Sequence, residues 1–309
     1  MVVGRKTIGV ALSTSDEGNA VDDVVRQATV AASAGFDSAW FGQRFDYDAI
    51  TLAGIVGREV PALKVGTSAV PIFARHPLLV VSQAQTVQAA TQGRFQLGLA
   101  LGAPDLVERA FGVTYSKPVD RVREFLTVAR SLVETGTADH HGEFITAAPP
   151  LPTTVAGAGT DLPLLVAAMG PRALRASGEL ADGILPFLAG PRVLETSIVP
   201  QVNRAASGAG RKPVRVIAFV AALVTDDVDA GRAAAEDAMS FYDAIPSYQR
   251  VVAEEGVERA AELVLVGSAA DVKAGIQRYY DAGATEVVVT QSGLLGPRTQ
   301  EDTWAAIAR

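Results

Sequence analysis

The chain is predicted to fold as a (β/α)8 barrel of the TIM type, an α/β architecture in which eight parallel strands alternate with helices. Its 309 residues suit such a barrel, which commonly takes roughly 250 residues or more in one unit. Several apolar runs are unbroken, as expected of strands that are buried on both faces. Eight strand candidates recur along the chain, at 6–12, 37–42, 63–70, 95–101, 163–169, 182–187, 214–224 and 285–291.

Helical patterns lie between these strand candidates. Apolar residues recur at helical spacing over 21–32 and stop at Gly35, which suits the position just beyond a helix end. The spacing over 122–133 predicts another helix of the same kind. SAGFDSAW at 33–40 and DAGATEVV at 281–288 share one helix-to-strand turn, so both ends of the chain use the same repeating unit.

Three stretches exceed what a minimal barrel needs. Residues 103–116 follow the fourth barrel strand and residues from about 240 to 268 follow the seventh, so both are expected at the C-terminal mouth, where such loops build active sites. Residues 136–162 contain HHGEFI and paired prolines, and they predict a surface hairpin before the fifth strand. No linker rich in Pro, Gly and Ser appears, so 1–309 is predicted to be a single domain.

Composition disfavours several classes of function. The 27 Lys and Arg against 34 Asp and Glu give a net charge of −7, which argues against nucleic acid or an anionic membrane as a partner. Without cysteine, thiolate metal sites and thiol nucleophiles are excluded. The longest apolar run, 216–224, is far below the roughly 20 residues that span a bilayer. Residues 1–18 do not read as a secretory signal, and a cytoplasmic protein is predicted.

The stretch PLLVAAMGPRALRASGELADG at 163–183 changes abruptly from an apolar strand to an amphipathic helix. Pro171 suits the first position of that helix, and Gly170 lets a ligand approach the backbone. Unpaired amides at a helix N-terminus favour a phosphate group, and Arg172 would add positive charge. From these residues alone, a phosphate site and a simple tight turn are equally open.

A resemblance to a known family rests chiefly on three segments, TSAVPIFARHP at 67–77, GRFQLGLALG at 93–102 and LLVAAMGPRALRASGELADGIL at 164–185. They are similar to the bacterial luciferase-like superfamily, above all to its actinobacterial branch that depends on coenzyme F420. The likeness covers nearly the whole chain. It implies a homodimeric barrel enzyme that binds F420, or alternatively FMN, and acts on a small molecule.

The resemblance also implies where the cofactor binds. It places a cis peptide bond between Ser68 and Ala69, against the cofactor ring. It places the cofactor phosphate on the backbone of the AAMGP segment. The cofactor-binding residues implied in this way are Ser68, Ala69, Gly102, Ala167, Ala168, Met169, Gly170, Pro171 and Arg172.

Catalytic side chains are few, because in such enzymes the cofactor itself transfers the hydride. No GxSxG, HExxH or P-loop motif occurs. His76 is a candidate to donate a proton or hold the substrate, and it is equally placed to cap the helix that starts at Pro77. Some F420 reductases of the superfamily carry an Asp-His pair where this chain has Gln43-Arg44, and Gln43 can still hydrogen-bond the ring edge. The F420 reductases also carry an acidic residue shortly after the fourth strand. In this chain that residue is either displaced to Asp105 or absent.

The remaining candidates concern the substrate and metals. Glu108 and Arg109 are predicted to form a solvated helix face. His140 and His141 are predicted to be solvated, and no metal site is expected, since no third ligand accompanies them. The residues predicted to line the substrate pocket are Arg44, Tyr242, Ser247 and Tyr248. Arg44 is open to two interpretations, a structural residue or one that holds an anion. For the other three, core packing is an equal alternative.

The leading hypothesis is therefore an F420-dependent oxidoreductase that transfers a hydride between the deazaflavin C5 and an unidentified small organic substrate. The enzymatic alternative is an FMN-dependent monooxygenase of the same superfamily. A member that binds the cofactor without catalysis is a third possibility, because the Asp-His pair is missing. A periplasmic solute-binding protein is disfavoured by the N-terminus and by the evenly spaced β/α units.

Overall fold

The computed structural model describes residues 6–14 and 18–308. Within them lie twelve strands, eight of which close into a parallel barrel. The strands are β1 (Thr7–Leu12), β2 (Ser38–Phe41), β3 (Lys64–Thr67), β4 (Val70–Pro71), β5 (Phe95–Ala100), β6 (His140–His141), β7 (Thr146–Ala147), β8 (Leu164–Ala167), β9 (Gly183–Ile184), β10 (Arg215–Val224), β11 (Leu265–Gly267) and β12 (Glu286–Thr290).

The helices of the described residues surround this barrel. They are α1 (Ala20–Ala34), α2 (Ala49–Glu59), α3 (Pro77–Ala90), α4 (Pro104–Phe111), α5 (Pro118–Thr135), α6 (Pro171–Leu180), α7 (Pro191–Val193), α8 (Val199–Gly208), α9 (Val228–Asp243), α10 (Pro246–Glu255), α11 (Ala269–Asp281) and α12 (Pro297–Ile307). A π-helical turn, Leu194–Ile198, precedes α8, and a 3-10 turn, Ala260–Leu263, precedes β11. None of the helices in this described part is long and apolar enough to cross a membrane.

The predicted barrel is confirmed strand by strand. Its order is β1, β2, β3, β5, β8, β9, β10, β12, and β12 pairs in parallel with β1 to close the ring. Each of these strands falls inside one of the eight strand candidates. The predicted helix-to-strand turn is also repeated, because Gly35 and Gly283 have left-handed φ angles of 109° and 102°.

The three extra stretches have the predicted places, with one correction to their bounds. Residues 103–116 contain α4, and the hairpin of β6 and β7 lies inside 136–162. The insertion after the seventh barrel strand does not begin near residue 240, because α9 already starts at Val228. Its helices pack with Leu188 and Ala221 of the barrel in a small second apolar cluster, which includes Met239 and Val252. Sequence spacing missed β11, a three-residue strand that extends the sheet beside β10.

The barrel interior is polar at its N-terminal end and apolar above it. Glu286 is buried, and it accepts hydrogen bonds from Arg215 at 2.8 Å, from Trp40 Nε1 at 3.1 Å and from Ser38. A buried carboxylate needs such partners, since its desolvation is otherwise too costly. Above this network, apolar side chains fill the barrel, namely Trp40, Leu165, Leu185, Ile217 and Val288. Side chains therefore fill the N-terminal part of the barrel interior.

Candidate active site

Small residues form one side of the barrel mouth. Strand side chains alternate inward and outward, so the next inward positions above the apolar layer lie near the C-terminal strand ends. On four neighbouring barrel strands these positions are Gly42, Ala69, Ala100 and Ala167, and all four are partly exposed. On the opposite side the corresponding residues are aromatic, Phe187 and Phe219. One half of the mouth is therefore lined by small, partly exposed residues and the other half by aromatic rings.

The backbone at the end of β3 is held tightly against β5. The peptide bond between Ser68 and Ala69 is cis, as the resemblance implied. Thr67 Oγ1 donates to the carbonyl of Gly98 and accepts from its N–H, both at 2.9 Å, and the Ser68 N–H donates to the carbonyl of Phe41 at 2.7 Å. A Cβ at Gly98 would lie 1.9 Å from the Thr67 carbonyl oxygen. Only glycine permits this approach.

The turn from β8 to α6 has the predicted form. Gly170 is the N-cap of α6, Pro171 is its first residue, and no side chain caps its free amides. A Cβ at Gly170 would meet no protein atom within 4 Å, so this N-terminus faces open space. Arg172 is mostly exposed and lies 3.5 Å from Asp120, so its charge is partly engaged there.

A second cation reaches the same turn and was missed by the sequence reasoning. Arg250, on α10, donates from one Nη to the carbonyl of Met169 at 2.9 Å, and its other Nη contacts Glu254 at 2.7 Å. The insertion after the seventh barrel strand therefore places a guanidinium directly beside the start of α6. The sequence carried no signal for this contact, since 81 residues separate the two partners.

Gln43 braces the loop that follows β2. Its Nε2 donates to the carbonyls of Arg44 and Tyr47 at 2.6 and 2.7 Å. Its Oε1 accepts from the Ala49 N–H at 3.2 Å and from Arg75 at 3.1 Å. These four bonds use the whole hydrogen-bonding capacity of the amide. The predicted contact with a cofactor ring would have to replace one of them.

His76 caps α3, which was one of its two predicted roles. Its Nδ1 accepts from the Leu78 N–H at 3.2 Å, and its Nε2 lies 3.0 Å from the carbonyl of Thr146. An Nδ1 that accepts leaves the proton on Nε2, which can then donate to that carbonyl. Nδ1 therefore caps α3, and Nε2 ties the start of that helix to the hairpin. A catalytic role for His76 stays a prediction.

Two of the predicted pocket residues lie together. Tyr242 and Tyr248 pack edge to face at 5.2 Å, and both contact Phe187 beyond the sixth barrel strand. Burial raises the pKa of Tyr248 to about 12 and raises the pKa of Tyr242. Both phenols therefore stay protonated at neutral pH and can donate hydrogen bonds.

The other two predicted pocket residues do not join them. Ser247 is exposed, and Arg44 is a surface residue paired with Asp46 at 3.0 Å. Gly102, predicted to contact the cofactor, has a left-handed φ of 76°, and its carbonyl accepts from the Tyr115 hydroxyl at 3.2 Å. The displaced acid Asp105 is exposed in the first turn of α4, beside the solvated pair Glu108 and Arg109.

The hairpin histidines need one correction. His141 is solvated as predicted, but the His140 side chain is only 24% exposed and its Nε2 lies 3.5 Å from Glu124. Half-buried beside the hairpin, Glu124 accepts from the N–H groups of residues 143–145, and these bonds lower its pKa despite the opposing effect of desolvation. No group of three potential metal ligands occurs among residues 6–14 and 18–308.

Comparisons with known proteins find a sequence relative and proteins of the same fold. The chain is 24% identical over 96% of both sequences to 5,10-methylenetetrahydromethanopterin reductase of Methanolobus tindarius. An F420-dependent secondary alcohol dehydrogenase, solved with an F420-acetone adduct, has the same fold, with a TM-score of 0.82, 19% identity and 98% of each chain covered.

A third protein shares the fold and has a different cofactor. The oxygenating constituent of 3,6-diketocamphane monooxygenase from Pseudomonas putida, solved with FMN, gives a TM-score of 0.78 and 16% identity, with 98% of this chain and 97% of that one covered. The family model for luciferase-like monooxygenases matches residues 5–286. The chain therefore belongs to the luciferase-like monooxygenase family.

Proposed function

We propose that this protein is an F420-dependent oxidoreductase that transfers a hydride between the deazaflavin C5 and a small organic substrate. The observation that carries the proposal is the open, uncapped start of α6 at Gly170, next to the half of the mouth lined by small residues. An anionic tail and a flat ring fit these two adjoining features. The relatives that act as reductases and dehydrogenases favour hydride transfer.

The residues present fit such a cofactor. The free amides at the start of α6 suit a phosphate, because they are unpaired donors at the positive end of a helix. Arg250 adds a cation to the same turn, and its bond to the Met169 carbonyl fixes its position. The ring would lie over Ala69, Ala100 and Ala167, whose short side chains leave the space free. When bound, F420 supplies the hydride-transfer chemistry.

The chain's own residues orient the substrate and exclude water. Phe187, Tyr242 and Tyr248 form an aromatic wall on the other side of the mouth. The wall presents apolar surface, together with two phenols that stay protonated, so it suits a substrate with a carbonyl, imine or hydroxyl group. Helix α10 carries both Tyr248 and Arg250, so this one helix contributes to the aromatic wall and also contacts the turn at the start of α6.

An FMN-dependent monooxygenase is the second candidate. The FMN-bound neighbour and the family model both favour it, and an α6 turn of this kind suits the phosphate of FMN as well. A homodimer, a cytoplasmic location and a single domain over 1–309 stay predictions.

Anaerobic turnover tests the proposed chemistry. The protein is mixed with reduced F420 and a panel of enones, imines and ketones, and the return of the oxidised deazaflavin absorbance is followed. We expect at least one class to be reduced without oxygen, with one F420 oxidised per product formed. Turnover that requires FMN and oxygen would instead identify the monooxygenase.

A further inference from the structure

Two tyrosines of the insertion lie among the loops at the C-terminal side of the barrel. Tyr242 belongs to α9 and Tyr248 to α10, and both helices follow the seventh barrel strand. The two rings pack in one apolar cluster with Phe187, which follows the sixth strand, and with Leu294, which follows the eighth. Loops from three neighbouring strands therefore meet at these tyrosines.

The Phe187 ring connects the two tyrosines to the barrel interior. Phe187 pairs in parallel with Phe219, and the Phe219 ring packs edge to face on the buried Trp40 at 5.8 Å. Paired residues of neighbouring strands point to the same face of a sheet, so the Phe187 ring also lies on the inner side. Its centre is 5.2 Å from that of Tyr242 and 5.9 Å from that of Tyr248. The tyrosines therefore stand one ring away from the mouth.

Both hydroxyls are unused donors. Neither makes a hydrogen bond within residues 6–14 and 18–308, and neither oxygen is fully buried. By contrast, the hydroxyls of Tyr115 and Tyr280 donate to backbone carbonyls at 3.2 and 2.8 Å. A tyrosine packed among apolar groups usually finds a partner for its hydroxyl. At Tyr242 and Tyr248 that partner has to come from a bound molecule or from solvent.

The surroundings keep both phenols in the donor form. Burial raises the pKa of each, and the neighbouring Tyr242 adds to this effect at Tyr248. The acidic side chains of the same two helix ends have other partners. Asp243 accepts from the Ala260 N–H at 2.8 Å, and Glu254 pairs with Arg250 at 2.7 Å. Each phenol therefore offers one O–H to a ligand.

We propose that Tyr242 and Tyr248 bind the carbonyl oxygen of the substrate through their two hydroxyls, which makes a ketone, aldehyde or enone the substrate class. A carbonyl oxygen has two lone pairs and accepts both bonds, whereas an imine nitrogen has only one. Negative charge develops on this oxygen as the carbonyl carbon is reduced, and fixed donors in apolar surroundings stabilise it. The reaction rests on the proposed function. The pair of donors rests only on the two unpaired hydroxyls.

The first test observes the phenols directly, without cofactor. The chain has six tyrosines, so full-length protein labelled with 13C at the tyrosine Cζ gives six signals, and Tyr242→Phe and Tyr248→Phe assign two of them. Cyclohexenone is titrated, with cyclohexene, which lacks the oxygen, as the matched ligand. We expect only the ketone to shift both signals along a saturating curve, and each variant to bind it at least fivefold more weakly. Signals that ignore cyclohexenone would overturn the proposal.

The second test measures turnover of ketones with reduced F420. We expect Tyr242→Phe and Tyr248→Phe each to lower kcat at least tenfold, with an unchanged KM for F420, because each variant loses one donor to the developing charge. The control, Tyr280→Phe, removes a hydroxyl that bonds the Thr7 carbonyl, and it should leave kcat unchanged. Thermal unfolding checks that each variant is folded. If one is not, the wild-type tyrosine signals decide alone.

The outcomes separate this inference from the proposed function. Wild-type kcat in both phenylalanine variants would overturn the inference, even if F420 binds and is oxidised. Reduction of imines but of no carbonyl compound would contradict the substrate class. Failure of both F420 and FMN to bind, with a cyclohexenone response at the two tyrosines, would reject the proposed function and leave the carbonyl site standing.

Discussion

Replacing Gly170 with leucine should reduce cofactor affinity by about a hundredfold while the protein stays folded. The new side chain would project into the open space at the start of α6, where the cofactor phosphate is proposed to bind. Loss of one or two charge-assisted hydrogen bonds costs about 3 kcal/mol, which corresponds to this change in affinity. Gly170 has a φ of −79° and its Cβ would meet no neighbour, so the fold should tolerate leucine.

The matched control is Gly208→Leu. Gly208 ends α8, at the opposite end of a β/α unit from the mouth, and a Cβ there also meets no protein atom. Fluorescence titration and thermal unfolding of both variants give the comparison. If Gly170→Leu binds the cofactor as tightly as the wild type does, the cofactor phosphate does not bind at this turn. This conclusion holds for F420 and FMN alike.

Replacing Gly98 with alanine should destabilise the protein by about 3 kcal/mol or more. The added methyl group would lie 1.9 Å from the Thr67 carbonyl oxygen and 2.7 Å from Leu185 Cδ1. Neither strand can move away cheaply, because Thr67 is bonded twice to Gly98 across the sheet. Overpacking of a buried site usually lowers the free energy of unfolding by about 1–3 kcal/mol. A clash with the backbone should cost at least the upper value of this range, because the backbone cannot change rotamer.

Urea unfolding measures this effect, with Gly208→Ala as the control. Alanine at the exposed end of a helix should leave stability unchanged within about 1 kcal/mol or raise it slightly. Since β3 leads directly to Ser68 and Ala69, the Gly98 variant should also bind the cofactor less tightly. A Gly98→Ala protein as stable as the wild type would show that β3 and β5 are not held together as described.

The barrel was predictable because its signals are local. Each strand is a short apolar run, and Gly35 and Pro171 mark a helix end and a helix start through their own backbone preferences. The cis bond at Ser68 came from resemblance alone, since nothing in the residue types there indicates it. β11 escaped notice because three residues next to a longer insertion give no periodicity.

The side-chain contacts of the site were much less predictable. Gln43 was expected to be free for a ring, yet four partners occupy its amide: two loop carbonyls, the first N–H of α2 and the guanidinium of Arg75. Arg250 was not singled out, because its partner comes from a distant part of the chain. A cation that lies next to a carbonyl is a property of the folded arrangement, and the sequence does not encode it in any short pattern.

The most direct test of the central claim is a fluorescence titration of the purified apo-protein with F420 and, separately, with FMN. We expect saturable F420 binding at low micromolar concentration or below, with FMN binding at least tenfold weaker. Tighter binding of FMN would instead support the second candidate function, an FMN-dependent monooxygenase. Binding of neither cofactor would contradict the proposed function altogether.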